Sequence, residues 1–169
     1  MPVAIRAVVI TASDKGYAGE RADASGPLLA DALRAMSVEV VAQIVLPDDQ
    51  ARIAAALAEH ADSGTVDLIM TTGGTGASPR DRTPEATLAV IEREMPGLAE
   101  MLRFEGYKHT PQAVLSRGVA GIRGRCLIVN LPGSPRAVRE DMALLASVLP
   151  HAIEMLRGEH LEHGEQPHA

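Results

Sequence analysis

The sequence predicts an α/β domain in which helices cover both faces of a mostly parallel sheet. Apolar, β-branched runs alternate with helical patterns, and the connections between them are short. Aromatic residues make up only 2% of the chain, so the core must consist of Leu, Ile, Val, Ala and Met, which suits helices on a sheet. The 169 residues suffice for one domain with a sizeable core. We expect this single domain at 1–158 and a polar, disordered tail at 159–169.

Three apolar runs in the first half predict strands that are covered on both faces. The runs are nearly continuous rather than alternating: "AIRAVVITA" (4–12), "VEVVAQIVL" (38–46) and "VDLIMTT" (66–72). Because helical patterns separate them, each strand is expected to run parallel to the preceding one through a right-handed crossover.

Two helices are predicted between these strands. "SGPLLADALRAM" (25–36) has Ser25 or Gly26 before Pro27 as a start signal. Its apolar residues fall on one helical stripe: Leu28, Leu29, Ala32, Leu33 and Met36. In "DDQARIAAALAEHA" (48–61) the inner face consists of Ile53, Leu57 and Ala61.

The second half predicts three more helices and a hairpin. "TPEATLAVIERE" (83–94) and "PGLAEMLRFEGYK" (96–108) are expected as helices separated at Pro96-Gly97. "VAGIRGRCLIVNLP" (119–132) has two apolar runs around Arg123-Gly124, typical of a hairpin, so one strand of the sheet is expected to be antiparallel. "SPRAVREDMALLASVLPHAIEMLRG" (134–158) predicts a closing helix that Pro150 kinks or divides. Its inner positions are Val138, Met142, Leu145 and Leu149.

Charge and composition restrict the classes of function. A net charge of -6 argues against a broad nucleic-acid-binding face, so any anion site must be local. Cys126 is the single cysteine, which excludes an internal disulfide and indicates a reducing compartment. It lies in the apolar run "CLIVNL", so we expect it in the core. No apolar run approaches the roughly 18 residues of a membrane span, and Arg6 interrupts the first one, so we expect a cytoplasmic protein without a membrane partner. His160 and His163 in the tail lack a third metal ligand and also resemble an expression-tag remnant.

Four polar loops follow the carboxyl ends of the predicted strands. They are Ser13-Asp14-Lys15, Pro47-Asp48-Asp49, the stretch 71–81 and the stretch 132–136. In a parallel α/β sheet, ligands bind at this edge, where loops lead into helix N-termini. We therefore expect the four loops to converge on one rim.

Two of these loops carry glycines that suit an approaching anion. "TTGGTG" lacks side chains at Gly73, Gly74 and Gly76, so a phosphate could approach the backbone N–H groups, although a purely structural glycine turn is the alternative. It has neither the Walker A pattern nor the dinucleotide fingerprint. In "NLPGSPRAV", Gly133 precedes Ser134, which is placed to cap a helix that begins at Pro135; an ordinary capped helix is the alternative there.

Asp48 and Asp81 are the candidate metal ligands. Asp48 or Asp49 could instead cap the second helix, and Asp81 could pair with Arg80 or Arg82. Carboxylates beside two anion cradles would repel a phosphate unless a cation bridged them, and Mg²⁺ binds through one or two carboxylates plus phosphate oxygens. The combination predicts a metal-nucleotide site. The sequence shows no constellation for a protein nucleophile, which phosphoryl or nucleotidyl transfer does not require.

The motifs together resemble the MogA/MoaB family of molybdenum cofactor biosynthesis proteins, related to the G domains of gephyrin and its plant counterpart. The matching stretches span nearly the whole chain in family order: "SDK" with "DASG", "LPDDQ", "TTGGTG" with "RDRTPEAT", "REMPGLAEMLR", "LSRGVAGIRG" and "NLPGSP". "RDRTPEAT" resembles the adenylyltransferase (Mog) branch, whereas the compact ending after "PGSP" resembles MoaB.

The resemblance implies a three-layer α/β/α domain with a mixed sheet that assembles as a homotrimer. The implied reaction is adenylylation of molybdopterin by Mg-bound ATP with release of pyrophosphate, followed by handover to a molybdenum-insertion protein; a MoaB-like molybdopterin carrier without turnover is the alternative. By resemblance, Asp48 and Asp81 hold Mg²⁺ and are catalytic. The implied substrate-binding residues are Thr72, Gly73, Gly74, Thr75, Gly76, Ser116, Arg117, Gly133 and Ser134.

Overall fold

A computed structural model describes residues 3–159 of the chain. The strands are β1 (Arg6–Ala12), β2 (Glu39–Leu46), β3 (Leu68–Thr72), β4 (Arg93–Glu94), β5 (Ala120–Arg123) and β6 (Cys126–Leu131). The helices are α1 (Asp14–Tyr17), α2 (Ser25–Ala35), α3 (Gln50–Asp62), α4 (Thr83–Val90), α5 (Pro96–His109), α6 (Pro135–Leu145) and α7 (Leu149–Arg157), with a 3₁₀ turn at Pro111–Leu115 after α5. The predicted tail, including His160 and His163, lies outside the described residues apart from Glu159.

The strands form one mixed, six-stranded sheet in the order β2-β1-β3-β6-β5-β4. β1 pairs in parallel with β2 and β3, and β3 pairs in parallel with β6. β5 runs antiparallel to both of its neighbours, as the predicted hairpin requires. The predicted α/β fold with a mostly parallel mixed sheet is confirmed.

Two apolar clusters lie on opposite faces of the sheet. Successive strand residues point to opposite faces, so Val9 of β1 belongs to one cluster and Ile10 to the other. Helices α2, α5, α6 and α7 cover the first face, and α3 and α4 cover the second. The predicted inner residues of α3, α6 and α7 are all buried, whereas in α2 Leu29 and Leu33 are buried and Leu28, Ala32 and Met36 are partly covered.

The predicted helix at 83–94 is wrong at its carboxyl end. α4 stops at Val90, Ile91 takes an extended conformation, and Arg93 and Glu94 form the edge strand β4. The backbone N–H of Glu92 donates to the Ile122 oxygen at 2.8 Å, and that of Met95 donates to the Ala120 oxygen at 2.8 Å. The open edge of β5 thus supplies hydrogen-bond partners that local helix propensity cannot anticipate.

Two other boundaries also have physical causes. α2 begins at Ser25, but the capping carboxylate is that of Asp23, which accepts from the Gly26 N–H at 3.0 Å. The closing helix is divided into α6 and α7, and Pro150 occupies the first turn of α7, where its missing N–H costs nothing. Within residues 3–159, no helix combines the length and the apolar character needed to cross a bilayer.

Candidate functional site

A cleft of about 900 Å³ opens at the carboxyl edge of the parallel strands. All four predicted loops line it, through Ser13 after β1, Asp48 after β2, the glycine loop after β3, and Gly133 with Ser134 after β6. The in-register pairing of Thr11 with Thr72 and of Thr72 with Leu131 brings three strand ends level, so the loops that follow meet. The volume is in the range of pockets that bind small ligands.

The glycine loop, residues 73–76, needs glycine for its shape. Gly73 and Gly74 have φ values of 92° and 68°, which side chains rarely allow. A Cβ on Gly73 would overlap the carbonyl oxygen of Ala12. The two glycine-bearing loops also touch, because a Cβ on Gly133 would lie 3.3 Å from the Cα of Gly73. The structural role of these glycines is therefore real.

The same loop lines the cleft and carries unused backbone donors. The Gly73 N–H donates to the Leu131 oxygen at 3.1 Å, but within residues 3–159 the N–H groups of Gly74, Thr75 and Gly76 donate to no protein acceptor. Consecutive free N–H groups at a strand-to-helix turn form an anion-binding concavity. The glycines therefore both shape the turn and leave it open to an anion.

Asp48 is not the helix cap. Asp49 caps α3 by accepting from the Arg52 N–H at 2.8 Å, while Asp48 Oδ2 accepts from the Asp14 N–H at 3.0 Å. In return the Asp48 N–H donates to Asp14 Oδ1 at 2.9 Å, which ties the loops after β1 and β2 together. Asp48 Oδ1 faces the glycine loop, 3.2 Å from where a Cβ on Gly74 would lie.

The electrostatic surroundings of Asp48 disfavour its charged form. Burial raises the pKa of the Asp48 carboxyl, and the neighbouring charges of Asp14 and Asp81 raise it further, against the lowering effect of the hydrogen bond from Asp14. A cation between Asp48 and Asp81 would reverse this effect, because it would stabilise both carboxylates.

Asp81 lies against the glycine loop, beside Gly76. Its Oδ2 accepts from the Ser78 N–H at 3.0 Å and lies 2.7 Å from where a Cβ on Gly76 would stand. Arg80 does not pair with it; the Arg80 guanidinium binds Asp14, with Nε 3.0 Å from Oδ2 and Nη2 2.8 Å from Oδ1. This ion pair holds the pKa of Asp14 below its ordinary value.

The donor set fits Mg²⁺ but cannot enclose it. Asp48 and Asp81 supply hard carboxylate oxygens, and within residues 3–159 no group of three or more His, Cys, Asp or Glu side chains could hold a metal ion. Mg²⁺ characteristically binds through one or two carboxylates and completes its coordination with phosphate and water oxygens. The residues present therefore suit a metal that arrives with a phosphate ligand.

The remaining predicted site residues have mixed roles. Thr72 uses its hydroxyl to donate to the Pro132 oxygen at 2.7 Å, which joins the loops after β3 and β6. Ser134 caps α6 as predicted, accepting from the Ala137 N–H at 3.4 Å. Thr75 and Ser116 line the cleft.

Arg117 departs from its predicted role as a ligand contact. It does not line the cleft, and its guanidinium is already engaged. Nε donates to the Gly76 oxygen at 2.8 Å, Nη2 donates to the Asp81 oxygen at 2.8 Å, and Nη1 pairs with Glu85. Arg117 thus fixes the backbone of the glycine loop and of Asp81. Sequence reasoning missed this because every partner is more than 30 residues away.

Three cleft residues did not emerge from the sequence. Asp23 accepts from the Thr11 hydroxyl at 2.7 Å. Asn130 is buried and donates to the hydroxyls of Thr71 at 3.1 Å and Thr87 at 2.9 Å. Asp141 is buried on the inner face of α6 without a partner for its Oδ2 within residues 3–159. Its position three residues after Val138 and four before Leu145 was the available signal, since a charged residue interrupts an apolar stripe there.

Comparison with known proteins identifies the family. Residues 8–151 match the family described as "probable molybdopterin binding domain". This chain belongs to the molybdopterin-binding domain family. The match confirms the resemblance drawn from the sequence motifs.

Relatives of this molybdopterin-binding domain include proteins from both branches of the resemblance. The molybdopterin adenylyltransferase of Escherichia coli is 37% identical over 174 residues, covering 94% of this chain and 88% of the relative. The crystal structure of the molybdopterin biosynthesis enzyme MoaB from Thermus thermophilus has a TM-score of 0.86 at 49% identity, covering 91% of this chain and 97% of that one.

Two further relatives differ in how much of their length is matched. The Mog protein of Mycobacterium ulcerans has a TM-score of 0.85 at 41% identity, over 93% of this chain and 99% of that one. The Drosophila melanogaster molybdenum cofactor synthesis protein cinnamon is 41% identical over 150 residues. That stretch is 88% of this chain but only 25% of cinnamon.

Proposed function

We propose that this protein acts in molybdenum cofactor biosynthesis as a Mg²⁺-dependent molybdopterin adenylyltransferase that uses ATP. The observation that carries the proposal is the placement of Asp48 and Asp81 on two different loops, each against the same glycine loop with free N–H donors. A module that only binds a pterin phosphate would gain nothing from two carboxylates there, because they repel the phosphate. The relatives named molybdopterin adenylyltransferases support the same reaction.

The reaction is a nucleotidyl transfer that needs no protein nucleophile. An oxygen of the terminal phosphate of molybdopterin attacks the α-phosphorus of ATP, the bond from that phosphorus to the bridging oxygen breaks, and pyrophosphate leaves. When bound, Mg²⁺ would neutralise phosphate charge and lower the repulsion between the two anionic substrates. Asp48 and Asp81 would hold it.

The chain's own contribution is to position the phosphates. The free N–H groups of Gly74, Thr75 and Gly76 form one cradle, and the N-terminus of α6 behind Gly133 and Ser134 forms the other. Arg117 keeps the first cradle in shape through the carbonyl oxygens of Gly76 and Asp81. Positioning of this kind is the main source of catalysis when the attacking group is already anionic.

The test measures pyrophosphate release from ATP and Mg²⁺ with and without molybdopterin. Asp81→Asn and Asp48→Asn should abolish the molybdopterin-dependent release and leave molybdopterin binding in place, because an amide keeps the local hydrogen bonds but is a poor Mg²⁺ ligand. Asp49→Asn is the matched control. It removes the same charge one residue from Asp48, yet its side chain caps α3 and does not line the cleft.

The outcomes distinguish an adenylyltransferase from a molybdopterin carrier without turnover. Release that vanishes in both cleft variants and survives in Asp49→Asn supports the adenylyltransferase. A folded wild-type protein that binds molybdopterin but releases no pyrophosphate is instead a carrier. Unchanged turnover in Asp81→Asn would refute the metal assignment.

We extend the proposal to assembly and destination. A homotrimer follows from the resemblance, and a shallow apolar groove between α2 and α6, lined by Leu28, Ala32, Met36 and Met142, is a surface that another copy could cover. Light scattering would give the mass of the assembly in solution.

The adenylylated product would pass to a molybdenum-insertion protein. The cytoplasmic location stays a prediction from the sequence.

A further inference from the structure

Asp141 occupies a position where a carboxyl group is costly. It lies on the inner face of α6, between Val138 and Leu145, and only 4% of the residue is exposed. Its Oδ2 has no hydrogen-bond partner within residues 3–159. A buried polar atom left without a partner is destabilising, so its presence calls for an explanation, and a ligand that supplies the missing hydrogen bond is one.

In the part of the chain that the structure describes, no charged neighbour compensates Asp141. The charged groups on the adjoining cleft wall are Arg136 and Glu140 on α6 and Arg103 on α5. Arg136 Nε binds Glu140 at 2.9 Å, and Arg103 Nη1 donates to the Gly118 oxygen at 2.7 Å. Both arginines are therefore engaged elsewhere. Burial, and next the charge of Glu140, raise the pKa of Asp141 to about 7.

Asp141 nevertheless lines the same cleft as the glycine loop. Apolar side chains from the same two helices also line this cleft, namely Ala99 and Leu102 on α5 and Ala137 on α6, beside the charged groups named above. Asp141 is seven residues after Ser134, about 10 Å further along the helix axis at 1.5 Å per residue. It therefore lies further along α6 than the proposed phosphate-binding end, and this is where we place the ring of a phosphorylated ligand.

We propose that Asp141 recognises the aminopyrimidine edge of a flat heterocycle, an exocyclic amine beside a ring nitrogen, held between α5 and α6. A carboxyl group can form two parallel hydrogen bonds with such an edge. Pockets for small organic ligands typically combine apolar lining residues with a few convergent polar groups. The inference rests on the proposed function, because it assigns part of that cleft to a substrate's ring.

Two substrates of the proposed reaction carry this edge, and they differ in its hydrogen-bonding pattern. The pterin offers two donors, its amine and the adjacent ring N–H, and matches an ionised carboxylate. Adenine offers one donor and one acceptor, and matches a protonated carboxyl group. An Asn side chain has one acceptor and one donor group, so it can replace the acid opposite adenine but not the carboxylate opposite the pterin.

The experiment measures the affinities of ATP and of molybdopterin separately by calorimetry. The variants are Asp141→Leu and Asp141→Asn, and Val138→Ala is the matched control because Val138 is buried on the same helix but does not line the cleft. Asp141→Leu should weaken one of the two ligands at least tenfold, as expected for losing a hydrogen bond to a charged or strongly polar group.

The pattern across the variants identifies the ring. If Asp141→Leu weakens ATP and Asp141→Asn does not, the edge is that of adenine; if both variants weaken molybdopterin alone, it is that of the pterin. Unchanged affinities, or equal losses for both ligands, would overturn the inference.

Turnover is measured in parallel, so that the two proposals can fail independently. If the wild type releases no pyrophosphate and Asp141→Leu selectively weakens one ligand, the Asp141 assignment stands and the adenylyltransferase is refuted. If pyrophosphate release is normal and Asp141→Leu leaves both affinities unchanged, the adenylyltransferase stands and the Asp141 assignment is refuted.

Discussion

The unpartnered Asp141 makes stability depend on pH in a way that one substitution should remove. Its pKa rises from the ordinary value of 3.8 to about 7 in the folded protein, chiefly because the group is buried. Between these two values the folded state holds a proton that the unfolded state has lost. The free energy of unfolding therefore falls as pH rises from about 4 to about 7, and this contribution is constant outside that window.

The size of the effect follows from the two pKa values. A difference from 3.8 to about 7 corresponds to about 4 kcal/mol at 1.36 kcal/mol per pKa unit. About 3 kcal/mol of this falls between about pH 5 and about pH 8. Asp141→Asn has a similar shape and does not ionise, so it should match the wild type in acid and exceed its stability by a few kcal/mol at about pH 8.

Urea unfolding at about pH 5 and about pH 8 provides the assay, with the free energy of unfolding extrapolated to water. Asp31→Asn is the control, because it makes the same substitution at a side chain that is 76% exposed. The reasoning is refuted if the wild type and Asp141→Asn lose the same free energy between the two pH values.

Three further predictions concern the fold. Arg157→Ala should lower the free energy of unfolding by about 3 kcal/mol in urea titrations. The 15%-exposed Arg157 side chain binds both carboxylate oxygens of Asp67, at 3.1 and 2.8 Å, and its loss leaves that carboxylate with the hydrogen bond from the Arg6 N–H at 2.9 Å but without its guanidinium partner. Cys126, buried and with a pKa raised to about 12, should react with a thiol reagent only after unfolding, so labelling in native buffer would contradict its core position. Gly73→Ala should destabilise the protein by at least about 2 kcal/mol in the same titrations. Gly19→Ala is the control for that substitution, because Gly19 shares a positive φ but has open space, and an equal cost would show that contact with Ala12 is unimportant.

The elements that sequence patterns predicted well are those set by local chemistry. β1, β2 and β3 are apolar runs with helical patterns between them, so their parallel order follows from the handedness of crossovers. Helix α4 was predicted four residues too long, because the partners of Glu92 and Met95 lie on β5, far along the chain. The periodicity of apolar residues within a segment cannot show that a distant strand has an unpaired edge.

The candidate site divides in the same way. Sequence placed Asp48 and Asp81 at the strand ends but left open whether they were caps or ion-pair partners. Only the structure decided this, by giving the capping role to Asp49 and the pairing with Arg80 to Asp14.

What the sequence by itself determined is the layered α/β architecture and the convergence of polar loops at one edge, because strand periodicity and glycine content are local properties. Tertiary structure decided which side chains are free. Arg117 is occupied by the Gly76 carbonyl oxygen, 41 residues away, while Asp141 is left unpaired inside the cleft, as far as residues 3–159 show. Whether a charged group finds a partner depends on residues distant in sequence, so only the packed fold could show it.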